Sequence, residues 1–396
     1  MVEKETVIKS CNDIKNWLID VRRELHKIPE LSLQEKMTKS KIKEYLDEIG
    51  IDYVEYEGHN GIMAQILNEN HEKTIAIRGD IDALPIQEEV ESEFKSTNPG
   101  VMHACGHDAH TTILLGACKV LYSMKDKLNV NVKFLFQPAE EGYGGAKFLV
   151  NDKCLENPKV DYIFGLHVMP HIETGYIETK YDTLNATVDT LKIVVKGSKA
   201  HGAYPENGID AIVAAGQVVS SLQSIVSRNL APVNPAVLTI GKINGGDASN
   251  IICDEVILEG TLRTLNKETR EFILDRAKNI IEHTAKAFAC KGELILDSET
   301  AYPAVINDKE LVDVIRNNAV DLFGEDKFIM RPYASLGGED FSFYTDEGCR
   351  GAFFHLGCRN EAKNMVAPLH TSNFVLDEDC LPLGVMMHVM NVLSFN

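Results

Sequence analysis

The sequence predicts an α/β fold: a mixed sheet flanked by helices, interrupted by a smaller α+β domain. Three observations carry this. The chain has 396 residues, more than a single hydrophobic core usually serves, so two domains are expected. Strand-like runs at 62–67, 74–78, 130–137 and 162–167 alternate with stretches of helical spacing, the pattern of an α/β sheet. Between about 183 and 297 the order becomes β-α-β-β-α-β, a split βαβ unit complete in itself. The expected division is one domain from 1–182 and 298–396, with 183–297 inserted.

Taken in order, Glu3 to Lys27 places Ile8, Ile14, Trp17, Leu18, Val21 and Leu25 at helical intervals, and Pro29 stops the helix. A second helix, roughly Gln34 to Ile49, is closed by Gly50. The strand at 74–78 runs into Gly79-Asp80-Ile81-Asp82, and that at 130–137 into Pro138-Ala139-Glu140-Glu141; that at 162–167 ends at His167. An apolar helix from Ala109 to Met124 follows the cluster Met102 to Thr112. In the insert, Thr187–Lys196 reads as a strand and Gly208–Arg228 as an amphipathic helix. Ala236–Ile243 and Ile251–Thr264 read as a hairpin across Gly245-Gly246, Lys267–Ala289 as a helix and Glu293–Glu299 as a strand. The chain then returns through helix Asp308–Phe323, strand Gly351–Gly357 and a last helix near Leu381–Leu393.

Composition excludes several classes of function. Forty basic against 59 acidic residues leave a formal net charge of -19, which argues against nucleic acid and anionic membranes as partners. No apolar run has the length of a membrane span. The polar start, Met1 to Lys15, lacks the apolar core of a secretory signal. Nine scattered cysteines fit reduced thiols in a cytoplasm better than a disulfide framework.

The chemistry concentrates in Met102–Thr112, with one thiol and three imidazoles in eleven residues. Thiolate and neutral imidazole are strong ligands for a borderline divalent ion. Cys105, His107, Glu141, His167 and His370 form the candidate donor set. Five mixed donors exceed a closed four-ligand structural site, and no CxxC pair occurs, so a two-metal catalytic site fits better. Of the adjacent Glu140 and Glu141, one can bind metal while its neighbour moves a proton; alone, the pair would read equally as an exposed acidic turn. Asp80 and Asp82 are candidates to take the far N–H of a metal-bound imidazole, although Asp80 could instead cap its loop. His103 and His110 are rival ligands to His107. Soft Cys105 beside imidazoles suits zinc, while manganese, cobalt or nickel could occupy a mixed N/O/S site.

The motifs His26…Pro29-Glu30-Leu31-Ser32, Arg78-Gly79-Asp80-Ile81-Asp82-Ala83-Leu84-Pro85, His103-Ala104-Cys105-Gly106-His107-Asp108, Gln137-Pro138-Ala139-Glu140-Glu141, Gly165-Leu166-His167, Gly197-Ser198-Lys199-Ala200-His201 and Leu369-His370-Thr371 span nearly the whole chain. As a set they resemble the M20 family of metallopeptidases. The narrower resemblance is to its amidohydrolases: hippurate hydrolases, N-acyl-amino-acid hydrolases and auxin-conjugate hydrolases. The resemblance implies a zinc-exopeptidase-like catalytic domain and a ferredoxin-like lid and dimerisation domain. It implies metal ligands at Cys105, His107, Glu141, His167 and His370, two divalent ions per subunit, and a general base at Glu140. His201 would support the developing oxyanion, from its own or a partner subunit, and Asn250 and Arg263 would meet the substrate carboxylate. Without the family, His201 would read as a solvated loop histidine and Arg263 as a strand cation paired to Glu259 or Glu255. Gly338 departs from the family, many members of which carry Ser before Glu-Asp-Phe.

The expected function is therefore a cytoplasmic metal-dependent amidohydrolase that cleaves an N-acyl-L-amino acid, a small-molecule substrate, with a homodimer formed through the lid. Alternatives are deacetylation of N-acetyldiaminopimelate, dipeptide hydrolysis, or an inactive metal-binding scaffold. A zinc nucleobase deaminase is set aside, since neither half of its H-x-E…P-C-x-x-C signature is present.

Overall fold

The computed structural model describes residues 2–68, 71 and 73–396. The chain divides into two compact units, one of Met1–Leu184, Ile306–Tyr333 and Asp340–Asn396, the other of Asn185–Val305 and Ala334–Glu339. These edges differ from 182/183 and 297/298. The last strand of the second unit continues to Tyr302. The segment from Ala334 joins that unit because Ser335 bridges to Asn185 and Ala186 N–H donates to Gly337 O.

The first unit is built on an eight-stranded mixed sheet. Its order is Asp52–Glu55, Ile62–Ile66, Asn131–Gln137, Thr74–Asp80, Tyr162–Glu173, Arg350–Arg359, Ile177–Thr179, Phe328–Met330. The four central strands run parallel. Thr74–Asp80 and Asn131–Gln137 are buried at every position, as expected of parallel strands covered on both faces. Their carboxyl ends therefore open on one edge, where open α/β sheets place ligands. Tyr162–Glu173 does not stop at His167, because it keeps pairing with Arg350–Arg359 after its ladder with Thr74–Asp80 ends at Gly165.

The helix His107–Ser123 is buried on almost all sides. It packs against the C-terminal helix Cys380–Leu393, where Gly116 and Gly384 let the two backbones approach. The N-terminal helix is broken: Lys4–Asp13 and Lys15–Lys27 meet at Ile14, whose φ of -96° and ψ of 5° interrupt the ladder. Gly50 closes Lys36–Ile49 in the left-handed conformation.

The second unit is a four-stranded antiparallel sheet, ordered Ala236–Gly245, Glu255–Thr264, Thr187–Lys196, Lys291–Tyr302. Helices Ala211–Ser224 and Lys267–Ala287 bury Val218, Leu222, Ile273 and Ile281 in its own core. The expected strand 251–264 is interrupted. Ile251–Ile252 pairs instead with Ala200–His201 as a separate two-stranded ribbon.

Candidate metal centre

Each donor is delivered by a different element of the first unit. Gly106, at φ 87°, turns the chain between Cys105 and the helix that begins at His107, a conformation glycine adopts without strain. Cys105 Sγ lies 3.3 Å from His167 Nε2 and 3.2 Å from His370 Nε2. Glu141 Oε1 lies 3.2 Å from His370 Nε2 and 4.0 Å from His107 Nε2. Donor atoms of Cys105, His107 and His167 all fall within 4.8 Å of one another, as do those of Cys105, Glu141 and His370, and those of His107, Glu140 and Glu141. The five expected donors thus form overlapping triplets joined at Cys105, His107 and Glu141.

The residues present fit divalent ions. His107 Nε2 is buried without a hydrogen-bond partner, an arrangement that costs free energy unless something else satisfies it. His167 Nδ1 donates to Val168 O at 2.7 Å, and His107 Nδ1 faces Asp82 Oδ1 at 3.3 Å. Those contacts leave each Nε2 lone pair free to coordinate. The electrostatics ask for a cation as well. Burial opposes a charged His107, yet Asp80, Asp82 and Glu141 together push its imidazolium up to about 10. Burial, then Glu141, Glu140 and Asp80, hold the Cys105 thiol well above its ordinary range; an adjacent divalent ion reverses that preference.

The two aspartates take separate partners. Asp82 is 1% exposed and accepts from Ser32 Oγ (2.7 Å), Glu140 N (3.1 Å) and Glu141 N (3.0 Å), besides facing His107. One carboxylate thus fixes an imidazole and the backbone of both glutamates. Burial alone would raise Asp82, but His107, Ser32 and the Glu141 amide hold it below the usual carboxylate range. Asp80 accepts from His110 Nδ1 at 2.6 Å and from the fully buried Arg78 at 2.7 Å. His110 Nε2 in turn accepts Val168 N–H at 2.9 Å, so both nitrogens of this rival ligand are already engaged. His103 is buried with neither nitrogen hydrogen-bonded, and it belongs to none of the donor groups found among the described residues.

The turn that presents the glutamates is tightly constrained. Ala139 is left-handed at φ 56°, ψ 41°, which costs a non-glycine residue on the order of 1–2 kcal/mol. Gly145 seals the turn: a Cβ there would stand 1.6 Å from Pro138 O. Gln137, Ala146 N–H and Arg78 all converge on buried Asp340. Arg78 belongs to one of the motifs above, but its ion pair with Asp340, 262 residues away, carried no sequence signal. Ser32, likewise in a motif, acquires its role only through Asp82.

The remaining expected residues belong to the second unit. His201 is exposed, and its Nδ1 accepts Ala203 N–H at 3.1 Å. Asn250 adjoins it, since Asn250 O accepts Gly202 N–H at 2.7 Å and Ile251 pairs with His201. Arg263 lies on the sheet opposite Val188 and Val237. Its alternative partners are engaged elsewhere, Glu259 with Lys242 and Glu255 with Lys196, each at 3.2 Å. A Cβ on Gly338 would meet Val188 Cγ2 at 2.3 Å and Arg263 Nη1 at 3.2 Å, so the missing side chain leaves Arg263 its space.

Residues 76–392 match the family model for peptidase family M20/M25/M40. The thermostable carboxypeptidase 1 of Saccharolobus solfataricus is 34% identical over 99% of this chain and 98% of its own length. The N-acetyl-L-cysteine deacetylase of Bacillus subtilis is 37% identical over 96% of this chain and 88% of its own. A crystal structure from Bacillus subtilis, described as a dinuclear metal-binding peptidase of the M20 family, superposes with a TM-score of 0.84 at 33% identity, covering 97% of this chain and 99% of that one.

Proposed function

This chain belongs to peptidase family M20/M25/M40, a metal-dependent hydrolase of amide bonds, and from that premise we propose that it cleaves N-acyl-L-amino acids to a carboxylate and a free amino acid. A deacetylase of an N-acyl-amino acid and a carboxypeptidase are both among its relatives. Each name implies an amide whose nitrogen belongs to an amino acid with a free carboxylate.

The observation that carries the reading is the grouping of His107, Glu140 and Glu141 donor atoms within 4.8 Å, beside the cluster at Cys105. In this reading Cys105, His107, Glu141, His167 and His370 hold the ions, zinc or manganese, cobalt or nickel. Bound there, divalent ions supply Lewis-acid polarisation of the carbonyl and acidify a water. Glu140 takes the proton of the attacking water and returns it to the leaving nitrogen. Asp82 holds the Glu140 and Glu141 amides, which fixes the backbone that brings both carboxylates near His107. His201 supports the oxyanion, and the Arg263 fork, with Asn250, meets the substrate carboxylate.

We place the protein in the cytoplasm as a homodimer formed through the second unit. Among the described residues no helix is long and apolar enough to cross a membrane. Strand Ala236–Gly245 is an exposed edge of its sheet, and helix Ala211–Ser224 exposes Ile212 and Val213.

The test is metal analysis of the purified protein coupled to rates on acetyl- and benzoyl-amino acids before and after chelation. Loss of activity on chelation and recovery on adding metal are expected, with Glu140→Gln inactive while still binding metal. Equal rates on plain dipeptides would overturn the substrate assignment.

A further inference from the structure

The segment that follows Pro29 takes no part in the chemistry above, yet it is built into the turn carrying Glu140. Glu35 is 0% exposed. Its Oε1 accepts the N–H groups of Leu33 (2.9 Å) and Ala139 (3.0 Å), and its Oε2 accepts from Asn60 Nδ2 (2.7 Å). The next two amides, Glu140 and Glu141, donate to Asp82. Three successive N–H groups therefore grip two buried carboxylates brought from distant parts of the chain. Ser32 Oγ ties the same short segment to Asp82 at 2.7 Å.

From this geometry we infer that Glu35 is a positioning residue for the hydrolytic reaction: it holds the left-handed Ala139 and so sets the direction in which Glu140 leaves the strand Asn131–Gln137. The inference rests on Glu140 as the proton carrier. Ala139 is 0% exposed, so without the Glu35 acceptor its N–H has no water to turn to. The cheapest relief is rotation of the Pro138–Glu140 backbone, which swings the Glu140 side chain. Metal affinity need not follow, because Asp82 still holds the Glu141 amide and His107.

Full-length Glu35→Ala and Glu35→Gln are compared with the wild type, metal-free and metal-loaded. In Glu35→Ala, kcat is expected to fall about a hundredfold, the scale of an ångström misplacement. KM should stay within about threefold and metal stoichiometry should be unchanged. Amide exchange over 138–145, followed by mass spectrometry, should quicken about tenfold or more in both metal states. Glu35→Gln keeps an acceptor oxygen for Ala139, and the Asn60 amide can flip to accept from the new NH2. It should restore slow exchange and most of kcat. Should the alanine variant not fold, Glu35→Asp, too short to span the gap, takes its place with the same expectations. Unchanged exchange over 138–145, or a kcat within threefold of wild type, overturns the inference. So does a loss that appears in KM alone. A wild-type kcat for Glu140→Gln would instead sink the proton-transfer role and leave exchange over 138–145 as the measure of the Glu35 brace.

Discussion

Replacing Asp82 by asparagine alters one atom of the acceptor shared by His107, Glu140 and Glu141. The amide can adopt two orientations. With its NH2 in place of Oδ1, it faces two donors, Glu140 N at 3.1 Å and His107 Nδ1 at 3.3 Å. With its NH2 in place of Oδ2, it faces Glu141 N at 3.0 Å and Ser32 Oγ at 2.7 Å. The hydroxyl of Ser32 can rotate to accept, so this second orientation leaves one buried donor unpaired instead of two. One orphaned amide costs roughly 1–3 kcal/mol, and we expect Asp82→Asn to lose about 2 kcal/mol of stability. His107 keeps an acceptor, but a neutral one, and loss of the carboxylate partner of a metal-bound imidazole weakens affinity roughly 10–100-fold. The assay is competition for zinc against a chromophoric chelator, with thermal unfolding of the metal-free protein alongside. Zinc affinity within a factor of two of wild type, in a variant that melts where the wild type does, would refute the view that Asp82 anchors both the imidazole and the glutamate turn.

Other perturbations follow from the same geometry. Gly145→Ala drives a Cβ into Pro138 O; calorimetry should show a loss of about 1–3 kcal/mol or more together with lost activity, and an active, wild-type-stable variant would mean the turn is loose. Cys105→Ala should abolish metal-dependent stabilisation. In the wild type an ion at about a hundred times its Kd should add roughly 2.7 kcal/mol, and a variant that still gains this much would remove Cys105 from the donor set. His388, buried near Phe354 with Nδ1 unpartnered, is pushed down by burial to about 3. Its folded pKa lies below the unfolded value near 6.5, so the stability it preserves is intact above that value and lost as pH falls toward 3. Between pH 7 and 5 this amounts to about 2 kcal/mol; denaturant titrations of His388→Leu should show that much less acid sensitivity, and identical pH slopes would contradict it.

What the sequence by itself determined is the inventory of donors and the local structure around each. Thiol, imidazole and carboxylate types select a borderline divalent ion whatever the fold, and Cys105-Gly106-His107 carries its own turn. Period-2 and period-3.6 patterns are local as well, so the buried strands Thr74–Asp80 and Asn131–Gln137 and the β-α-β-β-α-β insert were legible. Register and connection between distant segments were not. That His167 sits inside a strand depends on a ladder with Arg350–Arg359, and the break at Ile14 separates two helices that share one apolar period. His107 and His110 are both histidines one helical turn apart, and only tertiary contacts give one an open Nε2 and the other Val168 N–H. The roles of Ser32, Glu35 and Asp340 likewise exist only after folding. A buried carboxylate acts through the donors that reach it, and here Ser32 reaches Asp82 across 50 residues, Ala139 reaches Glu35 across 104 and Arg78 reaches Asp340 across 262.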